Sequence, residues 1–158
     1  MMNPTAGLSP RPYYWHGNEP DLNAAWLFAQ LGRPDLAQTW VRWIATNVYA
    51  DTPTGVAGND DGGTLGAWYV WAALGLYPVP GTGDYVVGAP MFSELRIDVG
   101  GHVVVIAAPG APGLPYVAGV DVDGVPLTTA TLRHADLVAA SRLTFTLSAT
   151  PTAWGRAD

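Results

Sequence analysis

The chain has 158 residues, 49% hydrophobic and 13% charged, with seven arginines, no lysine, no cysteine and a formal net charge of −6. That is a globular composition, long enough to bury a real core. It excludes a nucleic-acid binder, which needs concentrated positive charge, as well as a disulfide framework, a thiolate metal site and a lysine Schiff-base enzyme.

Met1-Met2-Asn3-Pro4 shows no basic stretch leading into an apolar one, so no signal peptide is expected at this start. No apolar run reaches the ~18 residues of a membrane span. Asp21 is placed to cap a helix over Leu22–Leu31, and Gly32 supplies its stop. Pro34 suits the first turn of a second helix running to about Val48, with Leu36, Trp40, Ile44 and Val48 on one stripe. A Gly/Asp/Asn-rich loop follows from Tyr49 to Gly63. Thr64 then caps a third helix, Leu65–Leu76, which Pro78 ends.

The first and third helices are apolar almost all round, and such a helix must be buried on every side. Three helices cannot wrap one another that completely. Most of their covering is therefore missing from this sequence, and the expectation is a piece of a larger protein. Six of the seven tryptophans lie before residue 80 and the valine-rich alternation lies after it, which divides the chain into 1–83 and 84–158. The second part reads as strands at Tyr85–Gly88, Phe92–Val99, His102–Ala108, Tyr116–Asp123 and Leu143–Leu147, with Asp123-Gly124 a hairpin signal. Clear alternation in the later strands predicts an antiparallel region. The fold class is α plus β.

Two polar loops each precede an apolar helix: Tyr14-Trp15-His16-Gly17-Asn18-Glu19-Pro20-Asp21 and Gly55-Val56-Ala57-Gly58-Asn59-Asp60-Asp61-Gly62-Gly63-Thr64. Each has a plain structural explanation. The first is N-cap chemistry, with acidic groups favoured by the helix dipole, and the second is turn chemistry. His16 alone reads more readily as a packed or capping histidine than as a ligand. Taken together, oxygen ligands at Asn18 and Glu19 facing a carboxylate pair at Asp60 and Asp61 suit a hard cation such as calcium. They suit equally a carbohydrate site where a carboxylate activates water beside aromatic rings. Zinc is disfavoured, since only His16 offers nitrogen there.

The series His16-Gly17-Asn18-Glu19-Pro20, Gly58-Asn59-Asp60-Asp61-Gly62-Gly63, Ala67-Trp68-Tyr69, Leu74-Gly75-Leu76-Tyr77-Pro78-Val79 and Gly88-Ala89-Pro90-Met91-Phe92 resembles the C-terminal part of family-92 glycoside hydrolases. The similarity runs from about Tyr13 to Trp154. These are calcium-dependent exo-acting α-mannosidases, often α-1,2. The resemblance implies that residues 1–83 contribute the last helices and active-site loops of an (α/α)6 barrel, on which the antiparallel β region 84–158 packs. It implies an inverting mechanism with Asp61 as general base and Asp60 and Asn59 orienting it. It places His16 near the leaving-group sugar and Asn18, Glu19 and Asp61 near calcium. The general acid would lie upstream, in a missing N-terminal part of the same enzyme that this chain would partner, so the chain alone would be inactive. The substrate would be a mannose-containing glycan, and the complete enzyme secreted or in the cell envelope. Two other readings stand beside this one: a non-catalytic calcium- or carbohydrate-binding module, and a structural remnant that packs on another chain.

Overall fold

Three helices come first in the computed structural model of the chain, which describes residues 14–157. Met1-Met2-Asn3-Pro4 and Tyr13 lie outside the described residues. Helix α1 spans Ala24–Gln30, α2 Pro34–Asn47 and α3 Thr64–Leu74. Asp21 does not cap α1. It closes a separate turn of 3-10 helix, Glu19–Asp21, because Pro20 starts that turn and the Leu22 N–H bonds back to the Glu19 carbonyl. Asn23 takes the position before α1. Gly32 does stop the helix, at φ +76°, where its N–H bonds to the Ala29 carbonyl.

Helix α3 ends earlier than Leu76, at Gly75 rather than Pro78. Gly75 adopts φ +72°, and a Cβ there would lie 2.7 Å from Pro90, so only glycine fits the turn. The chain then runs extended as β1, Leu76–Pro78. Along α2 the buried apolar stripe is Ala37, Val41, Ile44, Ala45 and Val48. Of the expected stripe, Ile44 and Val48 are on it, while Leu36 and Trp40 are only half-buried. Trp40 and Trp43 instead join Tyr14 and Phe28 along an apolar groove of about 310 Å³ between α1 and α2. Burial of the all-apolar helices is incomplete, with Leu31 77% and Val70 57% exposed.

The remaining elements are β2 (Asp84–Val87), β3 (Glu94–Val99), β4 (His102–Ala107), β5 (Tyr116–Val122), β6 (Val125–Leu127), β7 (Thr131–Arg133), α4 (His134–Ala139) and β8 (Arg142–Ser148). They form two sheets. One is three-stranded and antiparallel, β1-β2-β7, and the other five-stranded, β3-β4-β8-β5-β6. The larger sheet is mixed rather than purely antiparallel: Val105–Ala107 of β4 runs parallel to Arg142–Thr144 of β8. A parallel pair needs a crossover. The segment through β5, β6, β7 and α4 supplies it, and α4 had no counterpart in the sequence reading. Asp123 and Gly124, both with positive φ, turn the β5–β6 hairpin as expected. The core between the sheets gathers Leu76, Val87, Leu132 and Leu137 against Val104, Ile106, Val117, Leu143 and Phe145. No helix among the described residues is long and apolar enough to cross a membrane.

A second face of α2 is polar and joins the helices to the strands. Asp35 receives Arg33 through two bonds of 3.0 and 2.9 Å and Arg156 at 3.0 Å. The Gln38 Oε1 accepts the Val117 N–H at 3.1 Å, and the Thr39 hydroxyl meets that of Tyr116 at 3.2 Å. Arg42 donates to the Pro90 carbonyl at 2.8 Å. The final residues strap back across this joint. Trp154 Nε1 bonds to the Leu127 carbonyl and packs into both hydrophobic clusters, and Gly155 bridges to Thr129.

At the other end of the helices the two polar loops touch. A Cβ on Gly17 would lie 2.6 Å from the Ala57 carbonyl oxygen and 2.7 Å from the Trp15 ring, closer than any real contact. Gly58, at φ +73°, faces Gly17 from the second loop. Bare backbone thus sets the spacing between the loops.

Two predictions follow from these joints. Arginine bonding holds the Asp35 carboxyl below its unfolded value of 3.8, with Arg33 the main cause and burial opposing it. The folded state therefore binds that proton less readily than the unfolded chain. The stabilisation is complete above about pH 4 and is lost as pH falls through the folded value. Asp35→Asn should cost about 1–3 kcal/mol at neutral pH. In urea unfolding its deficit against the parent should shrink as pH falls below about 4, and a constant deficit would contradict the clamp. Gly17→Ala should destabilise by about 1–3 kcal/mol through overpacking. An unchanged unfolding midpoint would mean that the loops do not meet at this point.

Candidate active site

The second loop enters α3 through Asp60. The first backbone N–H groups of a helix have no partner within it. Here the Asp60 carbonyl accepts from Leu65 N–H at 3.3 Å, and its Oδ1 accepts from Gly66 N–H at 2.8 Å. One carboxylate oxygen of Asp60 is thus committed to capping. Asp61 is different. It sits at φ +49°, a conformation that aspartate tolerates better than most residues. Its carbonyl accepts the Thr64 hydroxyl at 2.7 Å, leaving the carboxylate at the exposed surface of the loop. Thr64, expected as the cap of α3, holds the loop in this indirect way.

The first loop presents Asn18 and Glu19, both exposed. The Asn18 amide donates to Asp21 Oδ2 at 3.3 Å, which turns its nitrogen inward along its own loop. The contact of Gly17 with Ala57 and Gly58 brings Asn18 and Glu19 to the same end of the molecule as Asn59, Asp60 and Asp61, all of them exposed. Among the described residues no three His, Asp or Glu side chains converge on one point. The oxygen set Asn18, Glu19 and Asp61 contains two carboxylates and a carboxamide. That chemistry suits calcium, yet fills only part of a shell of 6–8 oxygens.

His16, expected near the leaving-group sugar, is 0% exposed. Both nitrogens are taken: Nδ1 lies 2.6 Å from the Tyr14 hydroxyl and Nε2 2.7 Å from the Tyr49 hydroxyl. The ring stands edge-on to Trp68, centroids 4.4 Å apart. Burial lowers its pKa from 6.5 to about 4, with Asp21 opposing the shift, so the imidazole is neutral near pH 7.

Sequence reasoning gave no role to Tyr14 or Tyr49. Tyr49 follows the end of α2, stacks on Trp68 with centroids 5.6 Å apart and planes at 2°, and donates to the Leu65 carbonyl at 3.0 Å. Its only signal in sequence is an aromatic residue at a helix end beside the acidic loop. Trp68 in turn donates to the Leu22 carbonyl at 2.7 Å. Next to this cluster runs a groove of about 650 Å³ lined by Tyr49, Gly66, Tyr69, Asp51 and Met91. It lies directly beside the amide that Asp60 holds.

Comparison with known proteins bears on this arrangement. Over 81 residues the chain is 40% identical to an uncharacterised secreted glycosidase of Arthroderma benhamiae, which covers 51% of this chain and 10% of that protein. A family GH92 α-mannosidase from Bacteroides thetaiotaomicron superposes with a TM-score of 0.85 at 31% identity, over 91% of this chain and 20% of its own. The same protein has been solved with mannoimidazole. An inverting GH92 mannosidase from the same organism gives a TM-score of 0.82 at 30% identity, again over 91% and 20%. The chain thus spans about a fifth of the length of these solved relatives. Residues 4–149 match the glycosyl hydrolase family 92 catalytic domain, and the chain belongs to that family.

Proposed function

We propose that this chain forms part of an inverting exo-α-mannosidase, secreted or in the cell envelope, that removes terminal α-linked mannose, α-1,2-linked in particular, from glycans. The observation that supports this reading is the meeting of the two loops at Gly17 and Gly58, one carrying Asn18 and Glu19 and the other Asn59, Asp60 and Asp61. Family membership and the relatives' mannosidase activity support it. In the complete protein α1–α3 would belong to an (α/α)6 barrel, with the general acid supplied from upstream of these residues.

Asp61 is the base in this reading. Its carboxylate takes a proton from a water on the face of the sugar opposite the leaving oxygen. That water's oxygen bonds to the anomeric carbon as the glycosidic C–O bond breaks, and the upstream acid protonates the departing oxygen. Inversion requires the two carboxyl groups to stand about 6.5–9.5 Å apart, leaving room for the water. Asp60, with Oδ1 bound to Gly66, is suited to holding the loop rather than to taking the proton. Asn59 would bind substrate beside it. Asn18, Glu19 and Asp61 would hold calcium, which when bound supplies polarisation of the sugar hydroxyls.

In the complete protein Asp61→Asn should lower kcat by about 10²–10⁴, the usual worth of a positioned base. Asp60→Asn should cost less. NMR of the first-formed product should show the inverted anomer, and retention would overturn the mechanism. Exhaustive chelation should abolish turnover and added calcium restore it, whereas full activity after chelation would remove calcium from the reading. Expressed alone, the 158-residue chain should show no mannosidase activity.

A further inference from the structure

Hydrogen bonds link the buried histidine to the acidic loop, and each proton along them can be assigned. The Tyr49 hydroxyl carries one hydrogen, which goes to the Leu65 carbonyl at 3.0 Å. Its oxygen must then accept from His16, so Nε2 bears the proton across the 2.7 Å contact. A neutral ring protonated at Nε2 leaves Nδ1 as an acceptor, and Tyr14 donates to it at 2.6 Å. The direction is single: Tyr14 to His16, His16 to Tyr49, Tyr49 to the first turn of α3. That turn is the one whose amides, Leu65 and Gly66, are held by the carbonyl and carboxylate of Asp60.

We propose that Tyr49, oriented by His16, is a positioning residue: it pins the first turn of α3 and thereby sets where Asp60 and the adjoining Asp61 stand relative to the loop of Asn18 and Glu19. This rests on the assignment of Asp61 as the base. The geometry supports the coupling at both ends. His16 precedes Gly17, the point of loop contact, and Leu65 is covered on one side by Tyr49 and bonded on the other to Asp60. Among the described residues, the Tyr49 hydroxyl is the group that carries the hydrogen bonds from His16 to the Leu65 carbonyl. The ring's stacking on Trp68 accounts for its packing separately.

The test is Tyr49→Phe in the full-length protein, which keeps the stacked ring and removes only the oxygen. Hydrogen exchange followed by mass spectrometry over residues 60–67 should quicken by about tenfold, while peptides from β3 and β4 remain unchanged. On the same sample kcat should fall by about tenfold with KM within about twofold, because a displaced base affects the chemical step more than binding. His16→Gln, whose amide can still donate to Tyr49, should keep residues 60–67 closer to the parent's protection than Tyr49→Phe does. Unchanged exchange at residues 60–67 in Tyr49→Phe overturns the proposal, whatever Asp61 does. If exchange quickens but Asp61→Asn retains normal turnover, the assignment of the base has failed and the coupling of Tyr49 to the loop has not. Loss of protection across β3 and β4 as well would make Tyr49 a general packing residue and would also overturn it.

Discussion

Helix α2 holds the molecule together through two faces with opposite chemistry. Ala37, Val41, Ile44 and Ala45 pack into the helical core, as an amphipathic stripe should. Asp35, Gln38, Thr39 and Arg42, spaced to share another face, are turned toward the strands. Buried polar groups cost free energy unless each finds a partner. Here the four find partners on three segments: Arg156 near the C-terminal end of the described residues, β5 for both Gln38 and Thr39, and the loop before β3. Those partners fix the angle and height of α2 against the larger sheet. The position of Tyr49, at the end of the same helix, follows from that placement.

The acidic loop therefore depends on contacts well removed from it. Asp60 spends its carbonyl and one carboxylate oxygen on the amides of α3, so its orientation is inherited from that helix. The start of α3 is in turn fixed by Tyr49, and its end by Gly75 against Pro90, whose carbonyl Arg42 also grips. Both ends of α3 are thus referred back to α2. Asp61 gains its separate aim from a positive φ held by the Thr64 hydroxyl, and two neighbouring aspartates are given different work by backbone geometry alone.

Local chemistry was legible in the sequence wherever one residue decides the outcome. Gly32 as a stop, Pro34 as a start and Asp123-Gly124 as a hairpin turn each act through their own φ preferences, and each stands where expected. Long-range choices were not legible. Asp21 looked like a cap because its competitor, a proline-led turn, satisfies the same backbone groups one step earlier. Leu76 looked helical because its apolar side chain suits a strand equally well, and Gly75 rather than composition decides. The parallel pairing of β4 and β8 depends on a crossover, and α4 carries too short a pattern to announce it. At the site, the exposed members of both loops could be named from the sequence, and their contact through Gly17 could not. The partners of the His16 ring, Tyr14 and Tyr49, were not legible in sequence either. Tyr14 belongs to the same loop, while Tyr49 arrives from 33 residues away.

The strap formed by Trp154, Gly155 and Arg156 has a consequence for how the chain is made. Asp35 and Arg156 are separated by 121 positions, and a ribosome delivers them in that order. Throughout that interval Arg33 alone can neutralise the Asp35 carboxylate, and the indole of Trp154 is absent from both clusters it later joins. The helices and sheets can each assemble as they emerge. Arg156 and Trp154 leave the ribosome after every other element of the described chain, so residues 154–156 act as a latch added to a joint already begun by Gln38, Thr39 and Arg42.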